Sequence, residues 1–195
     1  MITLAPLSPG LYSLHRLDEA LPEATVADLQ RSANRGAVSA TEAVRRALAV
    51  LAVLTGEVAG GNRPVIVGRR WFQRSRVRGL DLEAMAREIA TSCGGTPSRR
   101  VAVWLADDTH QVLLRLERHY RLGRGQTVAL AIELLCDIEV AVAGGKQLGS
   151  VEPGHGETGR IRELVFVDVV PGDARRIRAL VRGVIARCRA VVGIR

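Results

Sequence analysis

Arg69-Arg-Trp-Phe-Gln-Arg-Ser-Arg-Val-Arg78 puts five arginines and two aromatic rings into ten residues. Guanidinium groups interleaved with rings can track a phosphate backbone while the rings stack on bases. The same composition also suits a solvated hairpin tip, so both readings stand. Arg74, Arg76 and Arg78 are its candidate phosphate contacts. A second constellation is Arg100-Val-Ala-Val-Trp104, in which Arg100, Ala102 and Trp104 alternate and so share one face of a strand. Trp104 reads first as a packing residue rather than a contact to bases, because large rings are mostly buried.

Other side-chain chemistry is sparse. His15, His110, His119 and His155 share no spacing that suits a metal, and Cys93, Cys136 and Cys188 lie far apart without paired spacing. Cys136 and Cys188 fall on apolar stripes, where a thiol acts as a small core residue. There is no Gly-x-Ser-x-Gly, phosphate loop or Cys–His signature. Gly144-Gly-Lys146 lacks the strand and spacing of a phosphate site. No catalytic residue, metal or cofactor is therefore expected, and the chain is not read as an enzyme.

The charge is strongly basic. A net +8 comes almost wholly from arginine, since Lys146 is the only lysine. Such a surface is the electrostatic footprint of a phosphate-bearing partner, although arginine-favouring codon usage produces the same balance. Hydrophobic residues make up 47% of the chain, enough for a real core, whereas aromatics are only 3%, so that core must be aliphatic. Neither a signal peptide nor a membrane span is expected, because the N-terminus lacks a basic start and no apolar run is long enough. A cytoplasmic protein without disulfides is the expectation.

The elements that must position these residues come in two copies. At a constant offset of 84, Val44, Ala47, Ala59, Gly60, Gly61 and Val67 match Val128, Ala131, Ala143, Gly144, Gly145 and Val151. Leu21, Thr25, Leu29 and Arg31 likewise match Leu105, Thr109, Leu113 and Arg115. In the second copy, alternation at Val101, Val103 and Leu105 predicts a strand. Asp107-Asp-Thr109 predicts an N-cap with first-turn acids, and Val112, Leu113, Leu116 and Tyr120 a helix. Gly123-Arg-Gly125 breaks it. A second helix is expected from about Gln126 to Ala143, ended by Gly144-Gly145. In the first copy Ser39-Ala-Thr-Glu42 fits a capping box, and Val44, Ala47, Leu48, Leu51, Leu54 and Val58 form an apolar stripe. Its strand is either Leu17–Leu21, which carries acids, or Leu11–Arg16.

Each copy continues into an expected hairpin, Pro64–Val67 with Val77–Leu80, and Val151 with Ile161–Val167 across the Pro153-Gly-His-Gly156 turn. Leu82–Cys93 reads as a linking helix and Gly94-Gly-Thr-Pro97 as a break. Asp173 can cap an amphipathic helix to about Val192, whose Arg175, Arg178, Arg182 and Arg189 face solvent or a partner. The expected divisions are a first repeat over 11–80, a linker over 81–98, a second repeat over 99–168 and a C-terminal helix over 172–195.

A strand, a helix, a short turn and a longer helix in about 45 residues resemble the ribbon-helix-helix family of DNA-binding proteins. The likeness is carried by Arg100-Val-Ala-Val-Trp-Leu-Ala-Asp-Asp-Thr109, Leu113, Leu116 and the Gly123 turn, and by Gly36-Ala-Val-Ser-Ala-Thr-Glu-Ala-Val-Arg-Arg-Ala-Leu48. It covers about half of the chain. The resemblance implies a mostly helical α+β fold of two tandem units with short hairpins and a C-terminal helix. It also implies double-stranded DNA as partner, bound by a sequence-directed regulator such as a repressor or an accessory factor of a plasmid, phage or toxin–antitoxin locus. Two units would pair their strands into a ribbon in the major groove, within one chain as a pseudo-dimer or between chains as a homodimer. By position, Arg100, Ala102 and Trp104 would face the groove, Arg100 gripping a guanine and Trp104 covering a thymine methyl. Gly125, Gln126 and Thr127, with Thr41 and Glu42 in the first copy, would present helix N-termini to phosphate. The C-terminal helix could then hold a protein partner.

Overall fold

The offset of 84 governs the backbone as well as the residue types. A computed structural model describes residues 13–68, 77–92, 98–152 and 161–164. The first half holds β1 (Leu14–Pro22), α1 (Glu23–Arg35), α2 (Ala40–Ala59), β2 (Arg63–Val67) and β3 (Val77–Gly79), followed by α3 (Leu82–Ser92). The second holds β4 (Ser98–Ala106), α4 (Asp107–Tyr120), α5 (Arg124–Ala143), β5 (Gln147–Val151) and β6 (Ile161–Glu163). From β1/β4 to β3/β6, every element of the second half starts 84 residues after its counterpart. Unusual backbone repeats too. Ala37 and Arg121 adopt φ of 49° and 55°, and Gly61 and Gly145 of 81° and 76°. The left-handed residue that ends α2 and α5 is thus the second glycine of each pair, as a C′ position requires.

The fold is mixed α+β. β1 and β4 pair antiparallel over their full length. The two expected hairpins form, β2 with β3 and β5 with β6. Sequence reading missed that β2 also pairs with β5, joining the hairpins into one sheet of order β3-β2-β5-β6. The two repeats therefore do not stand as separate domains. Leu17, Leu21, Leu48 and Leu51 from the first copy share one core with Val103, Leu105, Ile132 and Leu134 from the second. α2 packs on α5, α1 crosses onto α5, and α4 crosses onto α2. A three-element unit cannot bury its own apolar face, and the crossed packing lets each copy cover the other's.

Several local expectations need correction. β1 follows the frame set by the repeat rather than the Leu11–Arg16 alternative: Leu17 and Leu21 point into the core, Asp18 is exposed, and Glu19 is half-buried. The N-cap of α4 is Ala106 rather than an acid. Asp107 and Asp108 lie in the first turn, where the Asp108 carboxylate accepts from the Thr109 amide. Only half of the first-copy capping box forms. Ser39 Oγ accepts from the Glu42 amide, but the Glu42 carboxylate turns to Arg45 and Arg46. α5 has the opposite half, with Gln126 Oε1 accepting from the Gly123 amide. α5 starts at Arg124, two residues before the expected Gln126. Val58, expected on the apolar stripe of α2, is exposed, as is Val142 at the equivalent place near the end of α5. The C-terminal helix and the Pro153–Gly156 turn lie outside the described residues, as do Cys93, Cys188 and Gly94–Pro97.

Candidate nucleic-acid interface

Antiparallel pairing of β1 with β4 sets Asp18 opposite its own repeat counterpart and exchanges the positions on either side of it. Asp18 faces Ala102, flanked by Arg16 opposite Trp104 and Ala20 opposite Arg100. A pseudo-twofold axis therefore passes through the ribbon at Asp18 and Ala102. Alternation does the rest. Leu17, Leu21, Val103 and Leu105 turn to the helices and are buried, whereas Arg16, Asp18, Ala20, Arg100, Ala102 and Trp104 form the opposite, exposed face. Trp104 is 53% exposed, so its ring is not part of the core.

Sequence reading missed Arg16. It is the counterpart of Arg100 at the same offset, so the repeat itself carried the signal, hidden by the acids that follow it. Asp18 holds the Arg16 guanidinium at 3.2 Å, while Arg100 shares its face with no acid other than Asp18. Ala102 at the centre and Ala20 beside it bring no side-chain hydrogen-bonding group.

The second helices start beside the ribbon. At Gly125, an added Cβ would lie 3.4 Å from Glu19 Oε2 and 3.5 Å from the Ala20 carbonyl oxygen, so α5 begins in contact with β1. Gly125 and Gln126 are half-buried in the first turn, where backbone amides lack helical acceptors. Thr127 is placed differently from the expectation. It is fully buried, and both its amide and its hydroxyl donate to the Gly123 carbonyl oxygen, at 2.9 and 3.0 Å. In α2, Thr41 and Glu42 are half-buried. Glu42 takes two bonds from Arg45, at 2.8 and 2.9 Å, and one from Arg46 at 3.2 Å. Burial pushes the Glu42 carboxyl up, but the hydrogen bonds and charges of Arg45 and then Arg46 outweigh it and hold it below its ordinary value. Two guanidiniums on one carboxylate leave this helix start with net positive charge.

Arg78 does not join this face. It lies on β3, 3.7 Å from Asp137 of α5, roughly 18 Å along α5 from Gly125 at 1.5 Å per residue. Arg74 and Arg76 lie outside the described residues. Two of the histidines, which share no metal spacing in sequence, come together in space. His15 Nε2 is 3.0 Å from Asp107 Oδ1, and the His15 and His110 rings stack with centroids 4.1 Å apart. No helix among the described residues is long and apolar enough to cross a membrane. Comparison with protein-family models, with curated proteins and with solved structures yields no match for this chain.

Proposed function

We propose that the chain is a sequence-directed DNA-binding regulator, a ribbon-helix-helix pseudo-dimer folded from tandem copies, with no catalytic role of its own. One observation carries this reading: the β1–β4 ribbon sets the copies about a pseudo-twofold and leaves one face open, with an arginine at each end. A two-stranded ribbon fits the major groove of B-form DNA, and guanidinium forks at Arg16 and Arg100 suit guanine edges. The first turns of α2 and α5 supply amides to the flanking phosphates, through Thr41 in one copy and Gly125 and Gln126 in the other. Arg–phosphate contacts make up most of the affinity, which falls steeply with salt. The protein acts as a repressor or accessory factor.

The test is selection of bound duplexes from a random pool, followed by electrophoretic shifts on the selected site. Arg100→Ala weakens the selected site more than bulk duplex. Equal binding of all duplexes by the unaltered chain overturns base reading. That outcome belongs to a second reading, an architectural or protein-interaction module of the same fold. It is favoured by Asp18 at the ribbon centre, by Ala20 and Ala102 beside it, and by the Glu19 carboxylate beside Gly125. An antitoxin that captures its toxin through residues 172–195 remains a variant of the first reading. Deleting that segment then leaves DNA binding intact and abolishes partner capture.

A further inference from the structure

We propose that His15, Asp107 and His110 form a binding site for one transition-metal dication of the zinc, cobalt and nickel class. The three side chains meet where one end of the ribbon abuts the first turn of α4. Each offers a ligand atom, and the three atoms lie within 4.8 Å of one another. Asp107 and His110 are three residues apart on α4, the spacing that sets carboxylate and imidazole side by side on one helix face. His15 arrives from β1, and its Nε2 is 3.0 Å from Asp107 Oδ1. That separation is close to the ligand–ligand edge of about 3.3 Å in a zinc tetrahedron with bonds near 2.0–2.1 Å.

Two further observations point to a cation. His110 Nδ1 is buried with no hydrogen-bond partner among the described residues. A buried polar atom left without a partner is costly, and ligation is one way to give an imidazole nitrogen its partner. Two imidazoles with a single carboxylate are also a borderline donor set, suited to zinc, cobalt or nickel rather than to calcium or magnesium, which take oxygen. Three protein ligands leave a coordination position for water or an incoming group.

The site has no counterpart in the other copy because the repeat breaks here. The counterparts of His15, Asp107 and His110 at the offset of 84 are Arg99, Glu23 and Val26, which cannot form a second cluster. A bound metal therefore clamps the first copy's strand to the second copy's helix on one side only. The clamp does not depend on the duplex reading, and its test uses no DNA.

Untagged full-length protein is titrated with Co²⁺ and followed by visible absorption and thermal unfolding. The expected result is a d–d band that saturates at one metal per chain and is lost on adding Zn²⁺. At hundredfold excess of Zn²⁺ over its Kd, Tm rises by roughly 5–10 °C. Asp107→Asn, at an exposed position, and His110→Ala abolish both signals, whereas His119→Ala keeps them. No band and no Tm rise overturns the site. So does a response that survives Asp107→Asn, an equal response to Mg²⁺, or a near-ultraviolet thiolate charge-transfer band that places the metal on a cysteine.

Discussion

Arg16 and Arg100 hold equivalent positions, but Arg16 points toward Asp18 and is held by it. An exposed pair of this kind adds about 0–1 kcal/mol to stability, so under the proposed function its consequence falls on recognition, where Asp18 would neutralise one guanidinium and repel phosphate. Asp18→Ala is therefore expected to tighten duplex binding by about threefold to tenfold at low salt, an advantage that fades as salt rises. Arg100→Ala should cost about 1–3 kcal/mol on a preferred site and much less elsewhere; titration of both variants on matched duplexes checks the pair. Two glutamates give opposite pH signatures. Burial, followed by the negative charges of Asp28, Glu88 and Asp137, raises the Glu133 carboxyl above its ordinary value of 4.5 despite the bond from Thr25. The charged form is disfavoured in the fold, so the penalty is complete above the folded pKa and disappears as pH falls below 4.5. Glu133→Gln, which keeps an acceptor for Thr25, should raise stability at pH 7 and converge with the unaltered protein in acid. Glu42 is lowered, so its contribution is present above 4.5 and lost as pH falls through its folded pKa. Glu42→Gln should lose stability at pH 7 and converge in acid. Urea unfolding at several pH values separates the two signs.

At the scale of elements, the repeat was legible because helices and strands need the same apolar spacing wherever they recur. The constant offset located α1, α2, α4, α5 and both hairpins, and it also marked Arg16, had the acids in β1 not hidden the strand. What stayed hidden depends on contacts between copies. The β2–β5 pairing has no marker in either strand, since Pro64–Val67 reads the same whether its second edge meets a partner or solvent. The histidine cluster joins positions 92 and 95 residues apart, so no local spacing reveals it. The capping box failed for a different reason: Glu42 has two guanidiniums within reach, and charge-assisted bonds outcompete a bond to the Ser39 amide. The repeated backbone makes its own prediction. Ala37 and Arg121 both sit in the left-handed region, where a Cβ costs about 1 kcal/mol that glycine avoids. Ala37→Gly should raise Tm by only roughly 1–2 °C, because the added chain entropy of unfolding offsets about half of that relief. A calorimetric scan showing a fall instead would mean that the entropy loss outweighs the strain.

Across the whole molecule, the two copies have diverged to fit each other rather than themselves. Where α1 crosses α5, Ser32 and Arg35 bond Glu139 at 2.9 and 2.8 Å. At the equivalent crossing of α4 and α2, buried Leu116 replaces Ser32, and Thr55 replaces Glu139 and bonds Tyr120 at 2.7 Å. Pairing two second copies would set Leu116 against Glu139 and strand a carboxylate, which disfavours that pairing. The ribbon inherits that asymmetry. One end offers Arg16 with Trp104, and the other offers Arg100 with Ala20. A homodimer of identical strands reads a palindrome because its operator mirrors its twofold axis. Here the axis relates unlike residues, so the preferred site should carry a guanine contact on each side of the centre but a thymine-methyl contact only beside Trp104. One chain should occupy one such site. Selection from a random pool, with complex mass measured by analytical ultracentrifugation, tests both points. Trp104→Ala should lower affinity and make the selected site more nearly symmetric, because it removes the largest difference between the two ends. A palindromic site bound by two chains would mean that the reading unit is assembled between molecules, and the intrachain ribbon would no longer account for recognition.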